Sequence, residues 1–262
     1  MKRNGLFTIY LLILVALVVG GFLLDPTLGA WRQGCVGVLL LAIGVLFRAQ
    51  VSFPKANMGN DTRFSAAASL LLAGAVLMAF SVRLLSAEIL QKLRYNAPLV
   101  YPGLGIGSRI LATVLLPTLC APILGLHVLP TLCPKKSKFA TIGCCMIAYC
   151  AFCTSPVHLP SALVLGGAMG VLALFWAGNA MVYTFVSYFM LMFYDTFAIS
   201  LGAMDYNLSF QRVVSFFLFA LAIAVIIGYA ALILARKRKL HMGELLTVLL
   251  VAVVIILIAV AI

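Results

Sequence analysis

An all-α fold, a polytopic bundle of membrane helices, is the class this sequence predicts, and three observations predict it. Hydrophobic residues make up 65% of the chain and charged residues only 9%, against about 45–50% and about 25% in ordinary soluble domains. Apolar segments of span length recur from one end to the other. The polar connections between them are too short to fold by themselves. At about 20 residues per span, the 262 residues are used up by crossings and their loops rather than by a separate soluble domain.

Taken in order, the apolar segments run over 5–24, 34–52, 64–82, 97–130, 139–161, 166–197, 212–234 and 244–262. Lys2-Arg3 ahead of the first looks like the start of a signal peptide, but the run is span-length and no small-x-small cleavage site follows it. A retained first span is expected. The stretch between 82 and 97 carries Arg83, Glu88, Lys92 and Arg94 among leucines. It reads as the third span continuing into an interfacial turn. Gly103-x-x-x-Gly107 and Gly166-x-x-x-Gly170 have the spacing that lets membrane helices approach closely, although an apolar chain rich in Gly and Ala produces such pairs by chance. No period of 20 to 50 residues and no matched pair of broken helices is present, which speaks against a repeat-built carrier.

The charge balance, 18 Lys and Arg to 6 Asp and Glu, is that of a chain with positive loops facing the cytosol. No basic run pairs with aromatics or a fold motif as nucleic-acid binding requires. A cytosolic N-terminus places the 48–63 loop, with Arg48, Lys55 and Arg63, inside, together with Lys135, Lys136 and Lys138. Eight simple crossings then leave Arg236-Lys237-Arg238-Lys239 outside, so parity and charge conflict. Two repairs exist. The 157–197 region, broken by Pro160 and Gly178-Asn179, contains one more crossing, or the 212–234 segment is re-entrant.

Chemistry-bearing residues are few. Seven cysteines, at 35, 120, 133, 144, 145, 150 and 153, sit almost entirely in apolar stretches with no His/Asp cluster beside them. Small packing residues are expected, Cys150-x-x-Cys153 included, rather than a redox or zinc pair. Cys133, beside the lysines at a membrane edge, is a candidate for palmitoylation. Asp25, Asp61, Glu88, Asp205 and Glu244 lie at span ends or in loops, whereas the hydrophobic run containing Asp195 continues past it. A carboxylate at the centre of a span costs about 2.5–3.5 kcal/mol on insertion scales and marks a proton or cation site by default. The competing reading puts Asp195 at the hydrated cytosolic end of its span. Desolvation raises a carboxyl's proton affinity and a nearby cation lowers it, so a carboxylate that switches partners with pH is a workable gate. Arg48 and Arg109 are the cations most closely flanked by apolar sequence, and either serves as that partner or simply snorkels to the interface. Enzyme templates fail. Gly105-Ile106-Gly107-Ser108 is followed by Arg109 with no base assignable, His127 and His158 stand alone near span ends, and neither H-E-x-x-H nor a phosphate-cradling loop occurs. No enzyme activity and no cofactor are expected.

TIYLLILVALVVGGFLL is followed by a loop with Trp31, a second span, a basic loop with a proline, and a third span. This order of features resembles the transmembrane Bax-inhibitor/lifeguard family. Lys135-Lys136-Ser137-Lys138-Phe139-Ala140-Thr141 opens the fifth span about where that family has a Lys- and Phe-bearing, Thr-ending motif. Tyr194-Asp195-Thr196 is similar to its Phe-Asp-Thr-Gln, and Asp205-Tyr206 to the acidic-Tyr pair heading its last helix. The resemblance covers about residues 6 to 234 and implies a seven-helix core with six helices round a central last one. A basic linker and an extra apolar helix follow, so the expected division is 1–234 and 235–262. Position 197 is Phe where the family has Gln, and Ser215 to Phe217 offer no acid where its second gating aspartate belongs. Such divergence looks like that of the herpesvirus, especially cytomegalovirus, seven-span relatives.

The resemblance implies a protein of the endoplasmic reticulum, Golgi or another endomembrane that restrains cell death and tunes calcium or proton leak. Asp195 takes the first gating position, with Arg48, Arg109 and Asp205 as further candidates for an ion or pH gate. The expected partners are the lipid bilayer, calcium or protons, and other membrane proteins. The viral relatives imply the alternative of a host-modulating scaffold acting through partner proteins, and a small secondary transporter is the third reading. Asn60-Asp61-Thr62 and Asn207-Leu208-Ser209 are glycosylation acceptors by sequence. The seven-helix reading puts both in the cytosol, unused.

Overall fold

Uniformly apolar helices leave no hydropathic stripe to show which face is inside, and in this protein alanine supplies the mark instead. The structure, a computed structural model, describes residues 3–22, 62–93, 106–111, 115–132, 138–152, 156–176, 209–236 and 241–262, with 38–39, 42–43 and 46 besides. All regular structure among the described residues is helical. In chain order it comprises α1 (Arg3–Phe22), α2 (Thr62–Lys92), α3 (Ile106–Ile110), α4 (Leu116–Ile123), α5 (Leu129–Leu132), α6 (Lys138–Cys150), α7 (Leu159–Trp176), α8 (Phe210–Arg236) and α9 (Met242–Ala261). By contact the chain divides into two units, Met1–Met58 with Ala97–Asp205, and Gly59–Asn96 with Tyr206–Ile262.

The second unit holds α2, α8 and α9, the three helices long and apolar enough to cross a membrane. In α2, Ala68, Leu72, Ala75 and Ala79 are buried, at the spacing of four, three and four that keeps side chains on one helix face. In α9 the buried pair is Ala252 and Ala259, seven apart, while Leu246, Leu250 and Leu257 are more than half exposed. Lipid is as apolar as leucine, so helices in it associate through close packing, and small side chains allow the closest approach. The larger residues are left for the bilayer.

α2 and α8 pack antiparallel. A Cβ on Gly74 would lie 3.4 Å from Ile227, the rings of Phe80 and Phe216 meet edge to face at 6.1 Å, and the Lys92 ammonium sits 3.6 Å from the Phe210 ring centre. The stretch between 82 and 97, expected to prolong the third span, is helical to Lys92 and part of one 31-residue helix. The 212–234 segment lies within one unbroken 27-residue helix, α8, along which α9 packs.

In the first unit the prolines decide the breaks. Pro130 lacks the N–H a helix would direct to residue 126. The chain answers with a π turn over Leu124–Val128, in which the Leu129 N–H bonds the Leu124 carbonyl five residues back. Between the expected segments 139–161 and 166–197 the described residues break earlier than 162–165: α6 ends at Cys150, and the 3-10 turn Pro156–His158 leads into α7 at Leu159. A residue ahead of proline avoids the helical region. Pro160, read from sequence as an interruption, occupies the first turn of α7, where a missing N–H costs nothing.

α6 and α7 also pack antiparallel, and more tightly than any other described pair with a glycine at its contact. A Cβ on Gly166 would lie 2.6 Å from Met146 Cα, and one on Gly170 2.5 Å from Ile142 Cα. The Gly166-x-x-x-Gly170 spacing therefore marks a true helix contact, whereas a Cβ on Gly107, of the other pair, would meet nothing within 4 Å.

Candidate functional site

Of the residues singled out by sequence, Asp195, Asp205, Arg48, Cys133, Asn60 and Asn207 lie outside the described residues. Arg109 falls in the five-residue α3, where only its backbone is described. The cysteines that are described, Cys120, Cys144, Cys145 and Cys150, are free thiols. Cys145 shows what such a thiol does here. It is fully buried, it faces Gly125 of the π turn across the α6 contact, and its Sγ donates to the Gly125 carbonyl at 3.3 Å. Among the described residues no three His, Cys, Asp or Glu side chains come together as a metal would need.

Polar groups in the second unit gather at its two ends. At one, Lys92 covers the face of Phe210, a cation–π contact worth about 0.5–1 kcal/mol when exposed. Beside it Ser209, Gln211, Arg212 and Ser215 share a cleft of about 510 Å³ with Phe216, Phe219 and Ile262. At the other end the Tyr229 hydroxyl donates to Glu244 at 3.5 Å, a long bond that ties α8 to α9. Glu244 lies in the first turn of α9, where the helix dipole favours a carboxylate.

Hydroxyl groups inside α2 turn back on their own helix. Ser81 donates to the Met78 carbonyl at 2.9 Å and Ser86 to the Val82 carbonyl at 2.7 Å, which removes both as lining for a polar path. In α4 the Thr118 hydroxyl oxygen is buried with no hydrogen-bond partner. Arg83, read from sequence only as part of the third span's continuation toward an interfacial turn, is 7% exposed within α2, a burial that reading did not state. The signal was available, since Arg83 follows Ala79 by four residues and so extends the buried row of Ala68, Leu72, Ala75 and Ala79. A buried guanidinium in a membrane helix marks functional polarity by default.

No carboxylate occurs in α8. The gate expected from the resemblance would need one there, and its place is taken by Ser215, Phe216 and Phe217. What the described residues define is a helical protein with three helices fit to cross a lipid bilayer. No family model, curated protein or solved structure matches this chain.

Proposed function

We propose that this protein is a multi-pass membrane protein of the Bax-inhibitor/lifeguard kind that sets calcium or proton leak across an endomembrane and thereby restrains cell death. One observation carries the reading: Asp195 is the sole acid of the chain with a hydrophobic run continuing past it, in Tyr194-Asp195-Thr196, the motif similar to that family's gating position. With no acid in α8 to share its proton, Asp195 titrates as a single carboxylate, and its protonation is the switch. The flux through vesicles bearing the full chain is then pH-dependent, and Asp195→Asn removes that dependence while leaving the amount of inserted protein unchanged. A flux that keeps its pH profile in Asp195→Asn would overturn the reading.

The absence of an acid from α8 also favours a second reading, a host-modulating membrane scaffold that acts through partner proteins, in the manner of the viral relatives. In that case client membrane proteins co-purify with the chain and remain bound to Asp195→Asn. The two readings separate on that one variant.

A further inference from the structure

Sidedness follows from the second unit and the charges that flank its helices along the chain. Contacts between α2 and α8 descend in opposite order, from Gly74 with Ile227 to Lys92 with Phe210. The paired stretch covers 18 residues of one helix (92 − 74) and 17 of the other (227 − 210), about 26 Å at about 1.5 Å per residue, close to the roughly 30 Å of a bilayer's hydrocarbon core. Two helices paired over that length cross together. Because they run antiparallel, the chain entering α2 and the chain leaving α8 are on one side of the membrane, and Lys92 and Phe210 are on the other.

Charge then decides which side is which. Lys55 and Arg63 precede or open α2 and the four residues 236–239 close α8, six basic residues on one face. Lys92, Arg94 and Arg212 make three on the opposite face. The positive-inside rule counts Lys and Arg in short loops, and it puts the six in the cytosol.

We infer that α2 and α8 form an antiparallel transmembrane pair whose Arg63 and Arg236 ends face the cytosol and whose Lys92, Phe210 and Arg212 end faces the lumen. The chain between Lys92 and Ser209 therefore returns to the face it left, which takes an even number of crossings. One crossing within 97–130 brings it to the cytosolic lysines at 135–138, so an odd number remains between 139 and 208. The eight simple crossings and the re-entrant 212–234 segment are both replaced by this arrangement, and the clash of charge with parity is gone.

The test places single cysteines at the two ends, Gln211→Cys and His241→Cys, both at exposed positions. The full chain is made with sealed endoplasmic-reticulum microsomes, whose cytosolic face is outward, treated with a membrane-impermeant maleimide, and read by peptide mapping at the introduced residue. Labelling at 241 is expected in sealed vesicles. Labelling at 211 is expected to be absent until the vesicles are opened. Equal labelling at 211 before and after opening, or protection at 241, would overturn the inference. Ser209→Cys and Met242→Cys, two residues from the first and one from the second and also exposed, repeat the comparison in case either first variant fails to insert. The outcome is independent of any ion flux, so it stands or falls separately from the proposed function.

Discussion

A methyl group added at Gly166 would sit 2.6 Å from the Cα of Met146 and 2.8 Å from the Cys145 carbonyl oxygen, closer than real side-chain atoms approach backbone. The atoms in the way are backbone and cannot yield, so α6 and α7 must part. Gly166→Ala is expected to lower the stability of the protein in mild detergent by about 1–3 kcal/mol, the usual cost of overpacking, and Gly170→Ala by a similar amount. Gly167, one residue along, would meet nothing within 4 Å, so Gly167→Ala is expected to be neutral or to stabilise by up to about 1 kcal/mol through helix propensity. Thermal unfolding of the three variants side by side distinguishes a packing contact from a general intolerance of substitution. The same contact explains why Cys145 is a small residue, since its thiol fits between α6 and Gly125 of the π turn where a larger side chain would not. Sequence reasoning anticipated packing cysteines from composition. It had no means of telling that Gly166 and Gly170 lie at a helix contact, because both pairs have the same spacing and only the neighbouring helix marks the contact.

At the scale of the element, membrane spans were legible and membrane faces were not. Length and hydropathy alone mark α2, α8 and α9, but a helix apolar all round has no amphipathic stripe, and its contact face shows only in the rows of small residues. That is why the burial of Arg83 was not foreseen, and why the break between α6 and α7 was expected at 162–165 instead of ahead of Leu159. Of the candidate site, the sequence indicated individual acids and cations but not their companions, because the partners of a buried charge come from distant segments. For α9 the face can be tested directly. Ala252 and Ala259 are buried and Leu250 is 61% exposed. Ala252→Leu is expected to push α9 off α8 and to lower stability by about 1–3 kcal/mol, while Leu250→Ala, which loses only lipid contact, leaves stability within about 0.5 kcal/mol of the parent. Cross-linking of Tyr229→Cys to Glu244→Cys, across the end where the two side chains meet, reports the loss of docking separately from any loss of stability.

For the whole molecule, sidedness determines what each expected site can meet. The seven-helix resemblance placed the two glycosylation acceptors together in the cytosol, and an α2 that enters the membrane from the cytosolic face keeps Asn60 there. The antiparallel α2 and α8 separate the two, because Ser209 precedes α8 at the end opposite to Arg63. By chain order Asn207 is then lumenal. The acceptor offers a check that needs no transport assay. In cells that glycosylate, the full chain is expected to show a glycosidase-sensitive gel shift that Asn207→Gln abolishes and Asn60→Gln leaves intact. A shift that followed Asn60 instead would invert the orientation of α2 and with it that of every crossing that follows.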